Sequence, residues 1–194
     1  MIELRVRKRV DRLVNPVGRA LARIGVTPTW LTLIGLAVTL TGAVLVAREY
    51  FIVGAFVAAL GSALDGLDGS VARARGSASR SGALLDSVAD RIGETGMWAG
   101  LAFALSDSAR LILLCVLSLG ASLLVSYVRG KAESLGADGR GGIMGRAERV
   151  ILMTFGLLFI EYVEVMLWAM AVLTWLTVLQ RFFISWRQLE HGSP

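Results

Sequence analysis

Two uncharged runs, residues 30–46 and 111–128, leave this chain few ways to fold. As a helix, each is long enough to cross a hydrocarbon layer of roughly 30 Å. The rest of the sequence is of the same kind. Hydrophobic residues make up 55% of the chain, and its mean hydropathy is +0.66. Residues 165–179 form another clean run. Three further segments are apolar with charges at one end. Residues 51–64 run into Asp65 and Asp68, 95–105 follow Asp86, Asp90, Arg91 and Glu94, and 150–160 follow Glu148 and Arg149. The expectation is an all-α membrane protein: one domain over residues 1–194, with six transmembrane helices in 28–188, preceded by an amphipathic juxtamembrane arm in 1–27.

With six spans, both termini share a side with the second–third and fourth–fifth loops. Every Lys and Arg except Arg48 and Arg110 falls on that side. Positive charge is retained on the cytoplasmic face, so the expectation is a multi-pass protein of the plasma membrane with its charged loops in the cytoplasm. In the arm, Val6, Val10, Leu13, Val14, Val17, Leu21 and Ile24 recur at helical spacing among basic residues. Asn15 and Pro16 interrupt it, as a cap and the first turn of a second helix. A basic amphipathic segment leading straight into a span reads as an interfacial helix on anionic lipid, rather than as a nucleic-acid arm. Cys115 is the single cysteine, which excludes an internal disulfide, and within "LILLCVLSL" it reads as a buried apolar thiol.

Against this background, four aspartates within "DGLDGSVARARGSASRSGALLDSVAD" are costly. On helices, Asp65 and Asp68 stand at i, i+3 and Asp86 and Asp90 at i, i+4, so each pair shares a face. Consecutive antiparallel helices would bring the pairs together at one depth. Clustered carboxylates repel and call for positive charge; hard oxygen ligands suit Mg²⁺ or Mn²⁺ better than zinc. Gly66, Gly69 and Gly82 remove side chains where a phosphate could approach the backbone, and Arg73 can reach an anion there. Loosened packing and simple ion pairs would explain any one of these residues, but not the array. An ion-coupled transporter is the remote alternative. The four carboxylates gather at one membrane face, though, and residues 30–46 and 95–105 offer no polar relay.

The array Asp65-x-x-Asp68-Gly69-x-x-Ala72-Arg73, then eight residues, Gly82, three residues, Asp86, three residues, Asp90, resembles the CDP-alcohol phosphotransferase signature at every fixed position. The resemblance implies an enzyme that moves the phosphoalcohol part of a CDP-alcohol to a second alcohol, releases CMP and uses two divalent metal ions. It implies that Asp65, Asp68 and Asp86 bind metal, and that Asp90 is both a ligand and the catalytic base. It also implies that Gly69, Arg73 and Gly82 contact the CDP moiety. Glu94 continues the Asp86–Asp90 stripe outside the motif. A homodimer is implied as well, and Gly96-x-x-x-Gly100 would permit close helix packing.

The fourth–fifth loop, "SYVRGKAESLGADGRGGIMGRAERV", carries Arg129, Lys131, Arg140, Arg146 and Arg149, and Arg181 follows at the end of the last span. Arginine clusters suit phosphate because they donate paired hydrogen bonds; positive-inside topology accounts for some of the charge. "YVRGKAESLG" followed by "GRAERV" is similar to the corresponding loop of actinobacterial phosphatidylinositol-phosphate synthases. That likeness implies CDP-diacylglycerol as donor and inositol phosphate as acceptor, with Arg129, Arg149 and Arg181 binding the acceptor phosphate. Arg129 stands where those relatives typically carry lysine. A phosphatidylglycerophosphate synthase using glycerol 3-phosphate is the alternative.

Overall fold

The computed structural model describes residues 16–192, and among these there is helix and loop but no strand. Helix α1 covers residues 16–23. The earlier part of the arm, with Asn15 as its expected cap, lies outside the described residues. Helix α2 (Pro28–Ala47) starts where the sequence supplies a start signal. Pro28 sits at the first position, and the Thr27 hydroxyl accepts from the Trp30 N–H at 3.4 Å. Then follow α3 (Phe51–Asp65) and α4 (Asp68–Arg75), which is closed by Gly76 at φ +61°. Ser79 caps α5 (Arg80–Ala104) by accepting from the Gly82 N–H at 3.0 Å, and Ser108 caps α6 (Ala109–Ser134) through the Leu111 N–H at 3.4 Å. The chain ends in α7 (Arg146–Leu158), a 3₁₀ turn over Ile160–Tyr162, and α8 (Val163–His191).

Among the described residues, four helical stretches are long and apolar enough to cross a bilayer: Pro28–Ala47, Phe51–Arg75, Ala109–Ser134 and Ile160–His191. Over the described residues the chain is thus all-helical, a multi-pass membrane protein. The other two expected spans differ for separate reasons. Helix α5 is roughly 37 Å long at the usual helical rise, but its N-terminal part, up to Glu94, carries Arg80, Asp86, Asp90, Arg91 and Glu94. Helix α7 has only 13 residues and begins with charges. A second difference concerns Asp65 and Asp68. They end one helix and begin the next, with Gly66 and Leu67 turning between them, and α4 occupies part of the expected loop.

The chain forms two compact units. In the first, residues 16–42 and 56–97, α2 and α3 approach so closely that only glycine fits at their crossing. A Cβ on Gly35 would lie 2.9 Å from the Gly61 carbonyl oxygen and 3.0 Å from the Asp65 nitrogen, and one on Gly61 would lie 2.6 Å from the Thr39 nitrogen. Gly93 brings α5 against the Thr39 methyl at 3.3 Å by the same measure, and α1 packs on α4 where Gly18 meets Ser70. The Arg75 guanidinium donates to the Val26 carbonyl at 3.1 Å, tying the end of α4 to the segment before α2.

In the second unit, residues 43–55 and 98–192, α6 and α7 both pack on α8. Ala121, Val125 and Val178 form a buried cluster, Gly156 accommodates Met166, and Cys115 is buried as expected. Gly100 abuts the Ala43 backbone, 3.1 Å from the carbonyl carbon for an added Cβ, so its close approach is used within the chain. At the start of α6, Arg110 pairs with Glu164 of α8 at 3.0 Å.

Candidate active site

In the first unit, the end of α3, the start of α4 and the first half of α5 supply one carboxylate each. Oxygens of Asp65, Asp68 and Asp86 all lie within 4.8 Å of one another. Asp65 is only 6% exposed, and the other two are half-buried. Three anions this close, one of them out of water, are stable together only beside compensating positive charge. Their donor set is all carboxylate oxygen, the chemistry that hard divalent cations such as Mg²⁺ and Mn²⁺ prefer. The residues therefore fit the expected metal. Asp90, one turn further along α5, stands outside this convergent trio. It is 13% exposed and sits 3.6 Å from Arg91, which also approaches Glu94 at 3.7 Å.

Beside the trio, a cavity of about 450 Å³ is lined by Asp68, Asp86, Gly69, Arg73 and Gly82, so every residue expected to contact CDP faces the same space. At Gly69 and Gly82 the backbone is bare, and an added Cβ would stand 3.5 Å from Arg73 Nη1 and 3.1 Å from Ser79 Oγ respectively. Asp68 in the first turn of α4 and Arg73 and Arg75 in its last match the helix dipole. A lining residue outside the motif supports one of the carboxylates. Thr32 of α2, only 2% exposed, donates its hydroxyl to Asp68 Oδ2 at 2.7 Å. Its only sequence signal is a Thr one turn after the Thr27–Pro28 start, inside an apolar run.

The second unit holds the other expected site. Helices α6, α7 and α8 contribute one arginine each, and Arg181 lies within electrostatic reach of both Arg129 and Arg149, as well as of Glu133. Each is anchored. Arg129 Nε meets Glu133 at 2.9 Å, and Arg149, only 4% exposed, donates to the Met144 carbonyl at 3.2 Å. Arg181 donates from Nε to the Gly141 carbonyl at 2.8 Å and from Nη1 to the Val125 carbonyl at 3.1 Å. Arg181 is thus flanked by two like charges, with Glu133 partly offsetting them. Arg140, from the same sequence list, is instead exposed and pairs with Asp138 at 3.3 Å.

Known proteins resemble this chain across most of its length. An archaetidylinositol phosphate synthase of Pyrococcus horikoshii is 34% identical over 189 residues, which cover 97% of this chain and 98% of that protein. A phosphatidylinositol phosphate synthase of Mycolicibacterium smegmatis is 36% identical, over 93% of this chain and 86% of that protein. Among solved structures, the phosphatidylinositol phosphate synthase of Mycobacterium tuberculosis with CDP-DAG bound gives a TM-score of 0.83 at 31% identity, covering 90% of this chain and 94% of that one. The same enzyme in complex with manganese and citrate gives 0.82 at 31% identity, covering 89% and 88%. The family profile described as CDP-alcohol phosphatidyltransferase matches residues 25–179, from just before α2 into α8. With the aspartate trio, the lined cavity and this match all in register, the chain belongs to the CDP-alcohol phosphatidyltransferase family.

Proposed function

We propose that this protein transfers the phosphatidyl group of CDP-diacylglycerol to inositol phosphate, forming phosphatidylinositol phosphate and CMP. The observation that carries the acceptor assignment is the arginine cluster, with Arg181 in electrostatic reach of both Arg129 and Arg149, and Arg149 buried. A phosphate monoester satisfies such a cluster by paired, charge-assisted hydrogen bonds, which a neutral polyol cannot do.

On the donor side, Arg73 faces the cavity with its positive charge, and the bare backbone at Gly69 and Gly82 leaves room for the CDP moiety. Asp65, Asp68 and Asp86, with Asp90 as a further ligand, would hold two divalent cations, which when bound supply the positive charge that neutralises the diphosphate. Asp90 accepts the proton of the acceptor hydroxyl. The freed oxygen forms the new bond to the phosphatidyl phosphorus, the diphosphate P–O bond breaks, and CMP leaves with the bonding electrons. Arg91, 3.6 Å from Asp90, steadies the carboxylate before the transfer.

In this reading α5 and α7 complete six spans, residues 1–27 lie on the membrane surface, and residues 1–194 form one membrane domain. The length of α5 supports that count. The basic residues support an active site facing the cytoplasm from the plasma membrane, and the protein acts as a homodimer. The test is CMP release by purified protein with CDP-diacylglycerol and a panel of acceptors: inositol phosphate, glycerol 3-phosphate, free inositol and serine. Inositol phosphate is expected to react fastest. Preference for glycerol 3-phosphate would keep the anion pocket and replace the acceptor; equal reaction of free inositol would remove the pocket.

A further inference from the structure

Thr177 and Gln180 lie one turn apart on α8, and neither is one of the three arginines. Thr177 is fully buried. Its hydroxyl donates to the Leu173 carbonyl at 2.9 Å and accepts from the Met144 N–H at 2.9 Å. The preceding N–H, that of Ile143, donates to Gln180 Oε1 at 3.2 Å. Two consecutive N–H groups of the α6–α7 loop are thus tied to α8. The loop needs such ties, because Gly139, Gly141 and Gly142 take φ values of +63°, +126° and +87°, conformations that glycine enters and leaves freely.

Two carbonyls of the same stretch, residues 141–144, hold two of the arginines. Met144 O accepts from Arg149, and Gly141 O accepts from Arg181. Met144 therefore receives Thr177 through its N–H and fixes Arg149 through its carbonyl. We propose that Thr177 and Gln180 are positioning residues for the acceptor: by fixing the backbone of residues 141–144 they set where the guanidinium groups of Arg149 and Arg181 stand. This rests on the assignment of those arginines to the acceptor phosphate.

The experiment is steady-state kinetics on Thr177→Val, Thr177→Ser, Gln180→Met, Arg149→Gln and the double variant Thr177→Val/Arg149→Gln, varying each substrate in turn. Thr177→Val and Gln180→Met are each expected to raise the KM for inositol phosphate about tenfold, the scale of one hydrogen bond to a charged site. The KM for CDP-diacylglycerol and kcat should stay near wild type. Thr177→Ser, which keeps the hydroxyl, should rescue. If Thr177 acts through Arg149, the double variant is no worse than Arg149→Gln alone. Equal losses in Thr177→Val and Thr177→Ser, or multiplied losses in the double variant, would overturn the proposal in favour of simple packing. Gln180 is exposed, so its variant carries the same test should Thr177→Val not fold. If Arg149→Gln raises the acceptor KM while Thr177→Val and Gln180→Met do not, the anion pocket stands and the tether is refuted. An unchanged acceptor KM in Arg149→Gln removes the pocket, and the tether with it.

Discussion

A carboxylate that is to hold a cation must itself be held. The Thr32 hydroxyl has one proton and two acceptors in reach, the Pro28 carbonyl at 3.2 Å and Asp68 Oδ2 at 2.7 Å. The shorter contact to the charged oxygen wins, which fixes the orientation of Asp68 towards Asp65 and Asp86. Thr32→Val keeps the shape and removes the proton. Titration of the chelator-treated protein with Mn²⁺, followed by loss of the free-ion electron resonance signal, should show affinity at least ~10-fold weaker, the usual cost of losing such support. Thr32→Ser should bind nearly normally. Asp90 makes a separate demand, since a base must exchange a proton whereas Asp68 only has to stay ionised. Asp90→Asn should lower CMP release by at least ~10²-fold while CDP-diacylglycerol binding weakens far less. Near-normal turnover in that variant would end its assignment as the base.

Elements differ in how plainly the sequence announces them. The apolar runs were legible because a membrane admits few alternatives to a helix, and the aspartates because charge in such surroundings has to be explained. The break at Gly66 and Leu67 was not, since spacing alone places Asp65 and Asp68 on one continuous helix face. Thr32 was hidden for another reason. A Thr in a span ordinarily bonds its own preceding turn, and nothing local says that Asp68 comes closer. The arginines were found through their loop, but Thr177 and Gln180 were not, because the contacts they make depend on glycine conformations set at a distance. That loop yields its own prediction. Gly142 at φ +87° also abuts the Thr177 side chain. Gly142→Ala should therefore destabilise the protein by about 1–3 kcal/mol, read as a lowered unfolding temperature in detergent, with the acceptor KM rising alongside.

For the molecule as a whole, composition and charge together specify an orientation. The proposed six spans would place the loop between α5 and α6 outside the cell and the end of α6 inside. Asp107 and Lys131 are exposed in these two places. In a Cys115→Ala background, Asp107→Cys should react with a membrane-impermeant maleimide in intact cells, and Lys131→Cys only after lysis. Labelling of both, or of neither, in intact cells would contradict the six-span arrangement. The crossings at Gly35, Gly61 and Gly100 have a different consequence. In a survey of every single substitution, these three positions would be as intolerant as the aspartates, although none of them touches a substrate. Gly35 even borders the Asp65 backbone, so a side chain there would push on a ligand from behind. A map of mutational sensitivity over this protein would therefore outline two things at once, the reacting groups and the places where backbones nearly touch. Chemical rescue by a conservative partner would separate them, since glycine has no conservative partner at a crossing.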